Sequence, residues 1–408
     1  MRIALNGWFA DRPHTGSGQY LRQLWQALAA PDVDPGEEYV LLLPGALPPD
    51  GAEHFPARPG FTVRSWPVPP GAGRGPLRQI WWEQRGLPAA ARAVGADLLH
   101  SPYLAAPWRS PVPVVTTVHD MIPWVVPGYR PSWGVRAYLS LAAAGVRRST
   151  WLLADSAASR RDAARCLPYP AGRITVVYLA VDPALGVPPA AEEIAALRAR
   201  LDLPGPYAFY IGGFARRKNV PLLLEAWARA LPALAEAAAT AGEPPPHLVI
   251  AGSVPAPGGL FPDVLRQART LGLLADGAAA PVRFLGRVSE GDKRLLLAGA
   301  RLFAFPSAYE GFGLDPLEAM AAGCPVVAGA GGSLREVVGD AGGSVADYTV
   351  ECWAGALIHV WRDAGLRADL TARGRRRAAE FSPARLAAQT RAVYACALEA
   401  VHGTRAGA

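Results

Sequence analysis

Between Leu302 and Met320 the chain changes from one periodicity to another. Leu302-Phe303-Ala304-Phe305 is an unbroken apolar run and reads as a buried strand. A glycine turn follows, Ser307-Ala308-Tyr309-Glu310-Gly311-Phe312-Gly313, and then a helical pattern from Leu314 to Met320. Asp315 suits the N-cap, Pro316 the first helical position, and Gly323 can end the helix. A strand that enters a helix through a glycine turn belongs to an α/β sheet, where ligands collect at the carboxyl ends of the strands. Glu310 and Glu318 bracket the turn with seven residues between them. The amides of Gly311 to Leu314, with the positive end of the helix, suit anionic or hydroxyl-rich ligands. A carboxylate at each end can accept from paired hydroxyls. Asp315-x-x-Glu318 also has the form of a capping box, so spacing leaves Glu318 between cap and ligand.

The whole string from Ser307 to Met320 closely resembles the signature of the family 4 retaining glycosyltransferases, which have the GT-B fold. The resemblance implies an α/β chain with two Rossmann-like domains facing across a cleft. It implies that Glu310 faces the transferred sugar and Glu318 holds the nucleotide ribose. Gly311, Phe312, Gly313 and Leu314 would line the donor through their backbone.

At 408 residues, 51% of them hydrophobic, the chain is too long for one ordinary core, which points to two domains. No uninterrupted apolar segment reaches spanning length. Met1 to Gly7 reads as a first strand and not as a signal peptide. Cys166, Cys324, Cys352 and Cys396 lie far apart without metal spacing, which suggests buried free thiols in a reduced, cytoplasmic protein. The net charge of +7 suits an anionic partner. No helix–turn–helix, zinc-finger or RNA-recognition pattern accompanies it, so nucleic acid is not an expected partner. Among the basic residues only Lys218 and Lys293 are lysine, and asparagine occurs only at 6 and 219. The adjacent Lys218-Asn219 therefore marks a place where arginine does not serve. No role is evident for Lys293.

Strand, glycine turn and helix recur along the chain in two blocks separated by a proline-rich seam, Asp182 to Pro189. The expected domains are 1–182 on the acceptor side and 190–380 on the nucleotide-sugar side. A last segment, 381–408, is a helix that crosses back to the first domain, as the resemblance implies. Ala233 to Pro246, rich in Ala and Pro, reads as a surface loop.

Tyr210 to Asn219 places two glycines, Gly212 and Gly213, and then Arg216, Arg217 and Lys218 between a strand and a helix. Such a turn suits a diphosphate. The string resembles the family's GxxxPRKN segment, in which the Arg-Lys pair clamps the donor diphosphate; Arg217 and Lys218 hold those positions, and Arg216 stands where proline is common. Gly16-Ser17-Gly18 lacks the third glycine of a dinucleotide fingerprint, because Leu21 stands there, and no acid ends the second strand. Gly-Lys-Ser/Thr is absent as well. In the family this loop lies near the donor phosphate and the acceptor, and Gly16 matches it best.

His119-Asp120 follows the strand Val114 to Val118 and resembles the family's pair beside the anomeric carbon, which implies donor contact for His119. Phe284 to Ser289 resembles the loop that receives the base, with Val288 the candidate. Ser333-x-x-Glu336 reads as a capping box. Asp32-Val33-Asp34 has the D-x-D form of metal-dependent transferases, but it lies between prolines after the first helix and reads as a surface turn, so no metal is expected. Trp81-Trp82 among arginines suits either core packing or peripheral contact with the inner membrane face.

The implied reaction is retaining transfer of a hexose from a nucleotide diphosphate sugar to a hydroxyl of a glycan, lipid-linked or small-molecule acceptor. The run from Gly16 through Trp81-Trp82-Glu83-Gln84 to His119-Asp120 resembles bacterial polysaccharide mannosyltransferases, which puts GDP-mannose first as donor and a UDP-hexose second. The alternatives are a sugar-nucleotide epimerase, a phosphorylase and a non-catalytic sugar-nucleotide binder.

Overall fold

A computed structural model of the chain describes residues 1–12, 15–30, 36–47, 51, 53–56, 58–69, 71, 75–129, 132–274 and 280–406. Asp32 and Asp34 lie outside the described residues. The chain divides into two compact units, one of residues 1–125, 130–180 and 383–408, the other of 126–129 and 181–382.

In the first unit β1 (Arg2–Asn6), β2 (Glu38–Leu43), β3 (Phe61–Ser65), β4 (Leu98–Ser101), β5 (Val114–Val118), β6 (Trp151–Ala154) and β7 (Ile174–Val176) form one sheet in the order β3-β2-β1-β4-β5-β6-β7. Every pairing is parallel. Strands in such a sheet are covered on both faces, so they read as continuous apolar runs. Ile3, Ala4, Leu5, Leu98 and Leu99 are accordingly fully buried. Helix Gly16–Leu28 buries Tyr20, Leu21, Leu24, Trp25 and Leu28 along one face, and the Thr15 side chain caps it by accepting from Gly18 N. The final helix, Pro383–Ala406, also belongs to this unit. Its Arg391 pairs with Glu37 at 2.9 Å, and its Tyr394 hydroxyl lies 2.8 Å from His100 Nδ1.

The second unit repeats the plan. β8 (Tyr207–Ile211), β9 (His247–Ala251), β10 (Val282–Gly286), β11 (Leu302–Phe305), β12 (Val326–Gly329) and β13 (Gly343–Val345) form a parallel sheet in the order β10-β9-β8-β11-β12-β13. Phe209, Tyr210, Phe303 and Phe305 make its aromatic centre, with Phe303 and Phe305 stacked at 5.9 Å. In both sheets the strand order reverses beside the unit's first strand, at β1/β4 and at β8/β11. Those are the topological switch points, where ligands bind in doubly wound sheets.

Several local expectations change. Helix Val220–Thr240 runs through most of the stretch expected to loop from Ala233. Its Ala-rich sequence favours helix, and Leu234 and Ala238 are buried. Only Cys324 of the four thiols is buried; Cys352 and Cys396 are exposed. Trp82 is fully enclosed, with Nε1 donating to Asn6 Oδ1 at 2.9 Å, so it belongs to the core and not to a membrane face. No described helix is long and apolar enough to cross a membrane.

Candidate active site

The site at the β8/β11 switch point grows from two turns. After β8 the chain passes Gly212 and Gly213 and makes a tight turn over Arg216–Lys218. Asn219 then takes a left-handed conformation (φ 56°) and caps helix Val220–Thr240. Asn tolerates that conformation better than most residues, which accounts for one of the chain's two asparagines. After β11 the second turn carries Ser307 to Gly313. The turns are tied backbone to backbone by Ala308 N donating to the Arg217 carbonyl at 2.7 Å.

Glu310 sits where they meet, 7% exposed. Arg217 Nη1 lies 2.8 Å from its Oε2, and Lys218 Nζ lies 2.8 Å from its Oε1. Ser307 Oγ donates to the same Oε1 at 2.5 Å. Burial alone would push this carboxyl up, but Lys218 and then Arg217 hold it below its ordinary range. Arg217 also donates to the Tyr309 carbonyl at 2.9 Å, and Lys218 lies over the Phe305 ring at 4.6 Å. Asp315 stands 3.6 Å from Lys218, and burial raises its carboxyl.

Helix Leu314–Ala321 begins two residues earlier than its expected caps suggest. Gly313, at φ 101°, is the N-cap, so Asp315 and Pro316 lie inside the first turn. Asp315 therefore faces Lys218 and not the helix amides. Gly323, at φ 83°, ends the helix as expected. The capping-box reading of Glu318 also gives way: both its oxygens bind Lys293 Nζ, at 3.1 and 3.0 Å. Lys293, on helix Glu290–Gly299, adds Glu290 at 2.8 Å. Burial would lower the Lys293 pKa, but Glu318 and Glu290 raise it. Burial raises the Glu318 carboxyl to about 7, with Lys293 opposing and Asp315 adding to the rise.

A third turn buttresses the second. A Cβ on Gly331 would lie 1.7 Å from the Ala308 carbonyl oxygen, and one on Gly332 would lie 2.3 Å from that of Glu310. Ser333 N donates to the Glu310 carbonyl at 3.1 Å, and Ser333 Oγ to that of Phe312 at 2.5 Å. Ser333 thus braces the glutamate loop instead of capping helix Leu334–Val338 with its side chain. Phe312 is buried and meets the Phe381 ring edge-on at 5.8 Å. Gly311, Gly313 and Leu314 complete the loop. Gly213 is exposed, and its carbonyl accepts from Tyr210 at 2.5 Å. Val288 follows β10, half-buried, on the segment leading to Lys293.

Residues 14–185 match the family described as Glycosyltransferase Family 4, and residues 195–377 match Glycosyl transferases group 1. The O-antigen chain mannosyltransferase B of Escherichia coli is 33% identical over 321 residues, 78% of this chain and 77% of that one. The chain belongs to the family 4 glycosyltransferases. A D-inositol 3-phosphate glycosyltransferase of Nocardioides is 36% identical over 228 residues, 54% of this chain and 48% of that one. Anabaena HepE, solved in complex with UDP and glucose, superposes with a TM-score of 0.69 at 19% identity, covering 97% of this chain and 100% of that one. That likeness gives this glycosyltransferase the GT-B fold. Family membership makes it an enzyme that transfers a sugar from a nucleotide-sugar donor.

In the first unit of the glycosyltransferase, Gly16 and Gly18 differ in kind. A Cβ on Gly18 would lie 2.1 Å from the Arg12 carbonyl oxygen, so packing requires that glycine. Gly16 is exposed, and a Cβ there would meet nothing within 4 Å. Close packing therefore does not explain Gly16. His119 directly follows β5, 21% exposed at its side chain, with Nδ1 2.7 Å from Asp155 Oδ2 and Nε2 3.0 Å from the Pro102 carbonyl. Asp120 accepts from Ile122 N at 2.9 Å and so shapes the loop. Sequence reasoning missed Lys293, Ser307, Ser333 and Asp155. Only Lys293 carried a signal, its rarity.

Proposed function

We propose that this glycosyltransferase moves a hexose with retention of anomeric configuration, mannose from GDP-mannose being the first choice of donor and a UDP-hexose the second. The observation that carries the reading is the triad Arg217–Glu310–Lys218 at the β8/β11 switch point. Two cations held at 2.8 Å from one buried carboxylate are already oriented, so little reorganisation would remain when they meet a diphosphate. Negative charge building on the departing diphosphate would be met by Arg217 and Lys218. Glu318 would accept from the ribose hydroxyls, and the backbone of Val288 and Gly213 would border the nucleotide. Glu310 and the amides of Gly311 to Leu314 would orient the sugar.

Glu310 is poorly suited to be a covalent nucleophile. Its oxygens already accept from Arg217, Lys218 and Ser307, and its basicity is lowered accordingly. Attack from the face of the leaving group, with the departing phosphate oxygen taking the acceptor proton, needs no protein nucleophile. The acceptor, a glycan or lipid-linked hydroxyl, is assigned to the first unit, which would also bring the Gly16 loop, and His119 to contact the donor sugar. The mannosyltransferase relative supports mannose as the sugar. Peripheral membrane contact would have to use exposed side chains such as Trp133, which is 84% exposed, since Trp82 is enclosed.

Isothermal titration with GDP-mannose, GDP-glucose, UDP-glucose and UDP-galactose tests the donor. NMR of the product's anomeric proton then tests retention. Tightest binding of a UDP-sugar would replace mannose in this reading. An inverted product would refute the mechanism.

A further inference from the structure

Three neighbouring strands of the first sheet end at one point. Pro102 comes one residue after β4, His119 one after β5, and Asp155 one after β6. His119 Nε2 lies 3.0 Å from the Pro102 carbonyl oxygen, which can only accept, so Nε2 carries a proton. His119 Nδ1 lies 2.7 Å from Asp155 Oδ2. An ionised Asp155 carboxylate also only accepts, and opposite it Nδ1 carries the second proton. A neutral imidazole has one N–H and satisfies one of these acceptors only. Asp155 is 2% exposed, and its Oδ1 has no hydrogen-bond partner among the described residues. The His119 ring is therefore the neighbour able to offset its charge.

Among the described residues, the groups that act on the ring include no cation. Tyr20, from helix Gly16–Leu28, meets the ring edge-on at 4.9 Å, and burial keeps its hydroxyl neutral. His100, on β4, is buried and bonded to Tyr394 and Thr117; burial lowers its pKa to about 3, so it too is neutral. Asp120 adds a second negative charge nearby. Ser159 Oγ donates to the His119 carbonyl at 2.8 Å and fixes the backbone. Burial by itself would lower the His119 pKa, but Asp155, the Pro102 carbonyl and Asp120 raise it.

We infer that Asp155 is a positioning residue that holds the His119 side chain as an imidazolium, cross-linking the carboxyl ends of β4, β5 and β6. His119 then serves as a fixed positive charge and not as a general base. This goes beyond the donor contact proposed for His119 and does not depend on which donor binds.

The test is nitrogen-15 NMR of the full chain with labelled histidine, the His119 signal being assigned by its loss in His119→Gln. The expected result is two protonated ring nitrogens at neutral pH. Asp155→Asn should lower the midpoint of that signal by about 1–3 pH units, and Asp155→Glu should recover most of the shift. A neutral ring at neutral pH in the unsubstituted chain would overturn the inference, as would an unmoved midpoint in Asp155→Asn. If Asp155→Asn does not fold, the spectrum of the unsubstituted chain decides alone. The donor titrations above read out separately, so failure of the proposed donor leaves this result standing.

Discussion

Lys293 Nζ lies 3.1 Å from Oε1 and 3.0 Å from Oε2 of Glu318, on a helix that follows a different strand. The ammonium thus spans both carboxylate oxygens and fixes their orientation, while Glu290 takes a third direction at 2.8 Å. The chain's only other lysine, Lys218, lies 2.8 Å from Oε1 of Glu310, with Arg217 on Oε2. Each lysine serves one of the two glutamates. A compact ammonium fits between two side chains where a planar guanidinium would demand a wider, flatter gap.

Lys293→Met should raise the donor KM by about tenfold, or ~1.4 kcal/mol, with a smaller change in kcat. Lys293→Arg should recover part of the loss. Steady-state kinetics with varied donor measure this. An unchanged KM in Lys293→Met would separate Glu318 from donor binding.

Donor affinity should depend on pH near neutrality. Burial raises the Glu318 carboxyl to about 7, so the ionised form, the better acceptor for ribose hydroxyls, is populated above that value. Affinity should weaken as pH falls through about 7. Lys293→Met removes the cation that lowers this pKa and should move the midpoint upward. Titration calorimetry across that range tests both statements.

Lys218→Ala should lower kcat/KM by about a hundredfold, from loss of charge stabilisation on the diphosphate. It should also destabilise the second unit by about 3–5 kcal/mol, because one side of a buried carboxylate is left uncompensated. Kinetics at limiting and saturating donor, with thermal melts, separate the two effects. Wild-type kinetics with a lowered melting temperature would make Lys218 purely structural.

Gly331→Ala should destabilise the second unit by about 1–3 kcal/mol, since the new methyl group would sit on the Ala308 carbonyl and displace the Glu310 loop. Gly16→Ala meets no such clash and should leave stability unchanged. A fall in turnover for Gly16→Ala without a stability change would place its backbone at the substrate.

Stability of the first unit should also vary with pH. The folded His119 ring binds its second proton more tightly than the unfolded one. The resulting stabilisation is complete below the unfolded value of 6.5 and is lost as pH rises through the raised folded value. Calorimetric melts should show that decline, and Asp155→Asn should flatten it.

Local order in the chain was enough to locate strands such as Val114–Val118 and Leu302–Phe305. Parallel strands covered on both faces leave runs such as Leu302 to Phe305, which no neighbouring element obscures. The short strand Gly343–Val345 is not legible locally, because three residues, one of them bulky and apolar, carry no periodic signal. The helix through Thr240 escaped because an Ala-rich stretch with proline nearby resembles a surface linker in composition. The same local order identified the turns holding Arg217, Lys218, Glu310 and Glu318, since glycine, charge and strand-to-helix transitions are features of adjacent residues. It could not say what each charge would meet. Asp315 faces Lys218 because Gly313 starts the helix earlier, Glu318 meets Lys293 and not a helix amide, and His119 meets Asp155 across two strands. Those partners are set by separation through space between strand ends. Only the folding of each sheet within its own unit defines that separation, and with it the protonation and orientation of the groups.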